Sequence, residues 1–171
     1  VAFLTRAIKE IQSVTTLPLQ IDTSNKQALE CAMRAYNGKP LINSVNGEKS
    51  SMEGVFPLVK KYGGVVIALT LDEKGIPETV QGRFEIAKRI IEEASRYGIS
   101  KKDIIVDTLC LTVSSDVNAP SVTLGAMKKI KEELGVKASL GISNVSFGLP
   151  KRDFVNSTFF TLALANGLDA V

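Results

Sequence analysis

Apolar positions along the chain fall into two alternating kinds of segment. Short continuous runs read as strands, and longer runs with apolar residues every three or four positions read as helices. Ala2 to Ser13 puts Phe3, Leu4, Ile8 and Ile11 on one helical face. Leu17-Pro18-Leu19-Gln20-Ile21 is a strand entered through proline and ending at Asp22. A helix follows over about 25–36, stopped by Asn37-Gly38, then a strand at Pro40-Leu41-Ile42 ending at Asn43. The next pair is a helix over 52–61 and a buried strand over 65–69. A long amphipathic helix spans 78–97 and closes at Gly98, followed by a strand over 103–106 ending at Asp107. The pattern finishes with a helix over 121–134 capped by Gly135, a strand over 137–142 ending at Ser143-Asn144, and a helix over 154–166 closed by Gly167.

Five strand–helix units in series, with no hairpin signal between them, imply a parallel sheet with right-handed crossovers. No linker interrupts the pattern, so residues 1–171 read as one domain. Neither G-x-G-x-x-G nor G-x-x-x-x-G-K-[ST] occurs, which argues against the common nucleotide-binding sheets. Four of the five strands end in a carboxylate or carboxamide, at Asp22, Asn43, Asp107 and Asn144. A (β/α)8 TIM barrel gathers all its strand ends at one mouth, whereas an open doubly wound sheet uses a single switch point. The barrel is the expected fold. A complete one takes about 250 residues. The chain begins in a helix without Met and ends at Leu168-Asp169-Ala170-Val171, which reads as a strand just starting. The expectation is a partial barrel truncated at both ends, lacking the first two β/α units and the end of the last.

Composition narrows the chemistry. The chain has 171 residues, and none of them is histidine, which removes imidazole bases, His-containing triads and His-ligated metals. The net charge of +3 comes from alternating signs, as in Lys128-Lys129-Ile130-Lys131-Glu132-Glu133, so nucleic acid is not an expected partner. Cys31 and Cys110 lie far apart with no C-x-x-C, as expected of buried reduced thiols in a cytoplasmic protein. No apolar run approaches the ~20 residues of a membrane span.

Two carboxylates and two carboxamides around one mouth admit several readings. Asp22 can cap the helix after it, together with Thr23 and Ser24, and Asn43 and Asn144 can be turn residues. Paired carboxylates also serve retaining glycosidases, but a chain without Trp lacks the usual sugar platform. Asp22 with Asp107 can supply some oxygen ligands to magnesium. The set also suits a flat heterocycle. A carboxylate accepts two parallel N–H bonds from an amidine-like edge, and a carboxamide matches an edge that alternates donor and acceptor. A pterin has such edges.

Longer motifs add a family resemblance. Gly141-Ile142-Ser143-Asn144-Val145-Ser146-Phe147-Gly148-Leu149-Pro150, followed by Arg152, resembles the pterin-binding domain of cobalamin-dependent methionine synthases. Leu19 to Ser24, Leu41 to Gly47, Ala68 to Pro77 and Asn166 to Ala170 continue it over essentially the whole chain. The related methyltetrahydrofolate:corrinoid iron–sulfur protein methyltransferases share the Asp, Asn, Asp and Ser-Asn-Val-Ser positions, while Phe-Gly-Leu-Pro is more like methionine synthase. The resemblance implies a (β/α)8 barrel that binds 5-methyltetrahydrofolate and passes its methyl to cob(I)alamin held by another domain or protein. On that basis Asp22, Asn43 and Asp107 bond the pterin ring, Asn144 sits near N5 as the catalytic residue, and Arg152 lies at the rim. No metal site is implied in this chain. Thr108 departs from the pattern, since many relatives carry Pro after the second aspartate. Three alternatives remain: a standalone methyltransferase serving a corrinoid protein, a dihydropteroate synthase, and a non-catalytic folate-binding barrel. The second should carry a late Lys-x-Gly-x-x-Arg-like stretch, which is not found near Asn144.

Overall fold

A computed structural model of the chain describes residues 1–171. Its elements run α1 (Ala2–Val14), β1 (Gln20–Asp22), α2 (Lys26–Ala35), β2 (Leu41–Asn46), α3 (Lys49–Tyr62), β3 (Val65–Leu69), α4 (Val80–Arg96), β4 (Ile104–Asp107), α5 (Ala119–Leu134), β5 (Lys137–Ser139) and α6 (Arg152–Ala165). Two 3-10 turns, Lys101–Asp103 and Ile142–Ser146, complete the list. Local chemistry sets several boundaries. The Asn25 side chain accepts from the Ala28 N–H and starts α2, and Thr79 accepts from Gly82 and starts α4. Gly135 ends α5 at φ +67°, a left-handed conformation that glycine adopts without strain.

The five strands are all parallel and lie in the order β1-β2-β3-β4-β5. A sheet that grows in one direction through right-handed crossovers carries its helices on one face. Burial follows that rule. Ile21, Ile42, Val45, Val66, Ala68, Ile104, Val106 and Ala138 are at most 1% exposed and pack into two apolar clusters with the helices. Their neighbours Asp22, Asn43 and Asp107 point to the opposite, concave face and are less buried. The sheet is open, and beyond β5 it has begun to take another partner through a parallel bridge from Ser139 to Ala170.

Three sequence expectations need correction. Asn43 does not end its strand, because β2 continues to Asn46 through an irregularity between Asn43 and Val45. The last strand stops at Ser139, not at Ile142. Its partner β4 ends at Asp107 and then turns away through Leu109 at φ +59°, so the ladder has nothing further to pair. On α1 only Ile8 is buried; Phe3 is 84% and Ile11 43% exposed. No helix is long and apolar enough to cross a membrane.

Candidate functional site

The candidate residues all lie along the C-terminal edge of the parallel sheet, in three groups. Asp22 and Asn43 are register partners on β1 and β2, and Asn43 Nδ2 donates to Asp22 Oδ2 at 3.1 Å. They share a recess of about 380 Å³ with Thr23, Ser24, Lys26 and Asn46. Asn46 did not emerge from the sequence as a site residue. Strict alternation from Asn43 would turn it toward the helices, but the extra residue Ser44 shifts the phase, so Val45 packs inward and Asn46 joins the concave side. An Asn-x-x-Asn spacing inside a strand was the available signal.

Asp107 stands apart from that recess. In register, Asp22, Asn43, Ile67 and Ile105 form one row, so Asp107 lies two residues further along the same face. Its Oδ1 accepts the Leu109 N–H at 2.7 Å. Burial pushes its carboxyl above the ordinary range, and the Leu109 N–H and the Arg83 charge only partly offset that. No fully buried side-chain polar atom in the chain lacks a partner, so Oδ2, which takes no bond from the chain, is open to solvent or a ligand. Such a carboxylate gains more than an exposed one from added N–H donors.

Asn144 sits in the second 3-10 turn, past the strand on which sequence reasoning put it. Its backbone bonds to Gly141 and Phe147, while its exposed carboxamide makes no hydrogen bond. Gly141 gives that amide its room, since a Cβ there would lie 2.8 Å from Asn144 Nδ2. Arg152 fastens the turn, donating from Nη2 to Ser143 O at 2.8 Å and from Nε to Ser146 Oγ at 3.0 Å. The loop after β4 is clasped to this turn, with the Val113 N–H donating to Val145 O and Thr112 Oγ1 to Phe147 O. Asp107 and Asn144 thus lie at the bases of two loops that brace each other.

Thr108, where the resembled pattern has Pro, is fully buried, and its Oγ1 donates to Thr123 O at 3.2 Å. Cys110 is buried with its thiol pushed up to about 12 by desolvation, which leaves it unreactive; Cys31 is only half-buried, and both are free. No cluster of three or more Cys, Asp or Glu side chains is positioned to hold a metal ion.

The chain belongs to the pterin binding enzyme family, whose model matches residues 2–171. It is 32% identical to a methionine synthase of Mycobacterium leprae over 94% of its own length, but it spans only 14% of that relative. It is 29% identical to the methylcorrinoid:tetrahydrofolate methyltransferase of Eubacterium limosum, again over 94% of the chain and covering 60% of that relative. Among solved structures, the Yersinia pestis dihydropteroate synthase matches 97% of the chain with a TM-score of 0.76 and 15% identity, covering 69% of that chain. The Stenotrophomonas maltophilia enzyme matches 98% with a TM-score of 0.73 and 19% identity, covering 67%. At such identity the likeness establishes the fold alone.

Proposed function

We propose that this chain binds 5-methyltetrahydrofolate at the C-terminal edge of its sheet and delivers the N5 methyl to cob(I)alamin. The open sheet is read as part of a (β/α)8 barrel, with residues 1–171 inside one pterin-binding domain. The consecutive strand order supports that reading, as does the likeness to enzymes of which the chain spans about two thirds. The observation that carries the functional reading is a desolvated carboxylate, Asp107, at the end of β4 and an unbonded carboxamide, Asn144, in the turn to which the loop after β4 is clasped.

In this reading Asp22, Asn43 and Asp107 fix the ring. The carboxylates accept its N–H donors, and Asn43, tied to Asp22, offers both a donor and an acceptor. The departing N5 is a poor leaving group unless it carries a proton. Its C–N bond breaks with the electron pair returning to nitrogen, while the methyl moves to the acceptor. Asn144 favours the protonated form by presenting its amide oxygen to N5–H, which a free carboxamide does by rotating. Arg152 holds the turn that carries it. Cob(I)alamin, carried by another domain or protein, would supply the nucleophile, so the step asks no histidine or other nucleophile of this chain, and the N5 proton would come from solvent.

The methionine synthase relatives support a role as the folate half-reaction of that enzyme. The Eubacterium limosum relative, of which the chain spans more, supports a standalone enzyme with a separate corrinoid protein as the second reading. Calorimetric titration of 5-methyltetrahydrofolate into the full-length protein tests what both share. Micromolar binding that disappears when Asp107 and Asn144 are both replaced by Ala is the expected result. No binding to the folded wild type contradicts the reading.

A further inference from the structure

Arg83 is the one charged residue of the interior, 1% exposed on α4 with no carboxylate in salt-bridge range. Its guanidinium is engaged by oxygens from three directions. Nε donates to Pro77 O at 2.9 Å, and Nη1 lies 2.7 Å from Thr108 O, 2.8 Å from Leu109 O and 2.9 Å from Thr123 Oγ1. Thr123 Oγ1 lies 3.1 Å from the same Leu109 carbonyl, and Thr70 Oγ1 3.3 Å from that of Asp107. The carbonyls that follow β4 are therefore gathered around one buried cation.

That arrangement bears directly on Asp107. Leu109 is a non-glycine residue at φ +59°, an unfavourable conformation that persists only where its surroundings hold it. The left-handed turn swings the Leu109 N–H back onto Asp107 Oδ1. The carbonyl of Thr108, in the same peptide as this N–H, and that of Leu109, in the next, are the two that Arg83 grips. Burying a charge is costly, and a buried ion replaced by an apolar isostere often leaves stability unchanged or higher. Packing alone therefore gives no reason for an arginine here. A cation does have a distinct effect on a carboxylate one and two residues away from the carbonyls it holds.

We propose that Arg83 is a positioning residue for Asp107, clamping the left-handed turn at Thr108-Leu109 so that one carboxylate oxygen is spent on the backbone and the other faces the pterin. The proposal rests on the function proposed above. Arg83 touches no ligand; it acts through Asp107. The titratable groups facing Asp107 are Arg83 from α4, which is charged, and Cys110 from its own loop, whose thiol is neutral, with Asp116 of that loop facing Arg83. Desolvation lowers the Arg83 pKa, but the guanidinium stays charged and draws the pKa of Asp107 down.

The test uses Arg83→Gln, which removes the charge, and Arg83→Lys, which keeps it but loses the fork, in the full-length protein. Hydrogen exchange of the unliganded protein reads the clamp. Amides of 108–112 should exchange at least 10-fold faster in Arg83→Lys, with β1 to β3 unchanged. In Arg83→Gln the Kd for 5-methyltetrahydrofolate should rise at least 10-fold, and the pH at which binding is half-lost should move upward. Arg83→Lys should restore most of the pH midpoint but not the Kd. A merely structural arginine would lower the melting temperature and leave that midpoint unmoved. If Arg83→Gln does not fold, Arg83→Lys decides the matter through exchange and Kd. Unchanged exchange at 108–112 and an unchanged Kd in a folded variant overturn the proposal. If the wild type binds no pterin, the proposed function fails, and the exchange result still decides whether Arg83 holds the strand end.

Discussion

Replacing Asp107 by Asn separates binding from folding at a single atom. The amide keeps an oxygen for the Leu109 N–H, which Asp107 now receives at 2.7 Å, and preserves shape. It exchanges the open Oδ2 for an NH2 group that faces ring N–H donors with another donor. A hydrogen bond to a charged group contributes about 1.5–3 kcal/mol, so at about 1.4 kcal/mol per decade the Kd should rise roughly 10- to 100-fold. Stability should respond in the opposite sense. Burial raises the folded-state pKa of Asp107, so its charged form opposes folding at every pH above that pKa, and the neutral amide removes the opposition. Equilibrium dialysis with labelled 5-methyltetrahydrofolate at pH 7 gives the affinity, and a thermal melt of the same sample gives the stability. Weaker binding with an equal or higher melting temperature is expected. A Kd within twofold of wild type would remove Asp107 from the site, and a large fall in melting temperature would refute the desolvation argument.

Three further outcomes follow from the same geometry. Gly141→Ala puts a methyl group 2.8 Å from where Asn144 Nδ2 now lies, so the amide must move; methyl transfer should slow about 10-fold or more by the misplacement argument, while the pterin Kd changes by less than threefold. Desolvation is the largest single influence on Asp169 and raises its pKa, but bonds from Lys131, Lys137 and the Ala138 N–H outweigh it and hold the carboxyl at about 2. The unfolded chain has the ordinary value near 3.8, so this group stabilises the fold above that pH and loses its contribution as pH falls through about 2. Because Asp169 is exposed and solvent screens its ion pairs, Asp169→Asn should cost no more than about 1 kcal/mol at pH 7, and denaturant melts should show the deficit vanishing by about pH 2. The isolated chain of residues 1–171 exposes Phe3, Val14, Leu17, Val117, Phe147 and Phe154, each at least 70% accessible, around an open sheet. Sedimentation should show it associating with concentration, and a monodisperse, cooperatively melting monomer would contradict that.

Elements governed by their own local pattern were legible in the sequence. The continuous apolar run of β3 was read with its bounds intact, and the glycines after α4 and α5 marked real helix ends. The failures occurred where a partner decides. β5 stops early because β4 turns away from it, an event set by a left-handed Leu109 that no pattern announces. Asn46 joins the concave face only because β2 holds one extra residue against β3. Arg83 occupies the buried stripe it forms with Ala87, Ile90 and Ala94, so a charge in an otherwise apolar helical period was visible. What it holds was not, since its partners come from the loop before α4, the loop after β4 and α5. Asp22 and Asn43 were legible as neighbours because parallel pairing of successive strands brings their ends into register.

The central claim is that this edge of the sheet moves a methyl group from folate nitrogen with Asn144 assisting at N5. Single-turnover transfer from 5-methyltetrahydrofolate to cob(I)alamin in the full-length protein tests it, comparing wild type with Asn144→Ala at saturating folate. The account predicts transfer by the wild type and a rate about 100-fold lower in the variant, the scale of a lost proton-transfer aid, with folate still bound. Folate that binds without transferring its methyl in the wild type, or a variant as fast as the wild type, would contradict it.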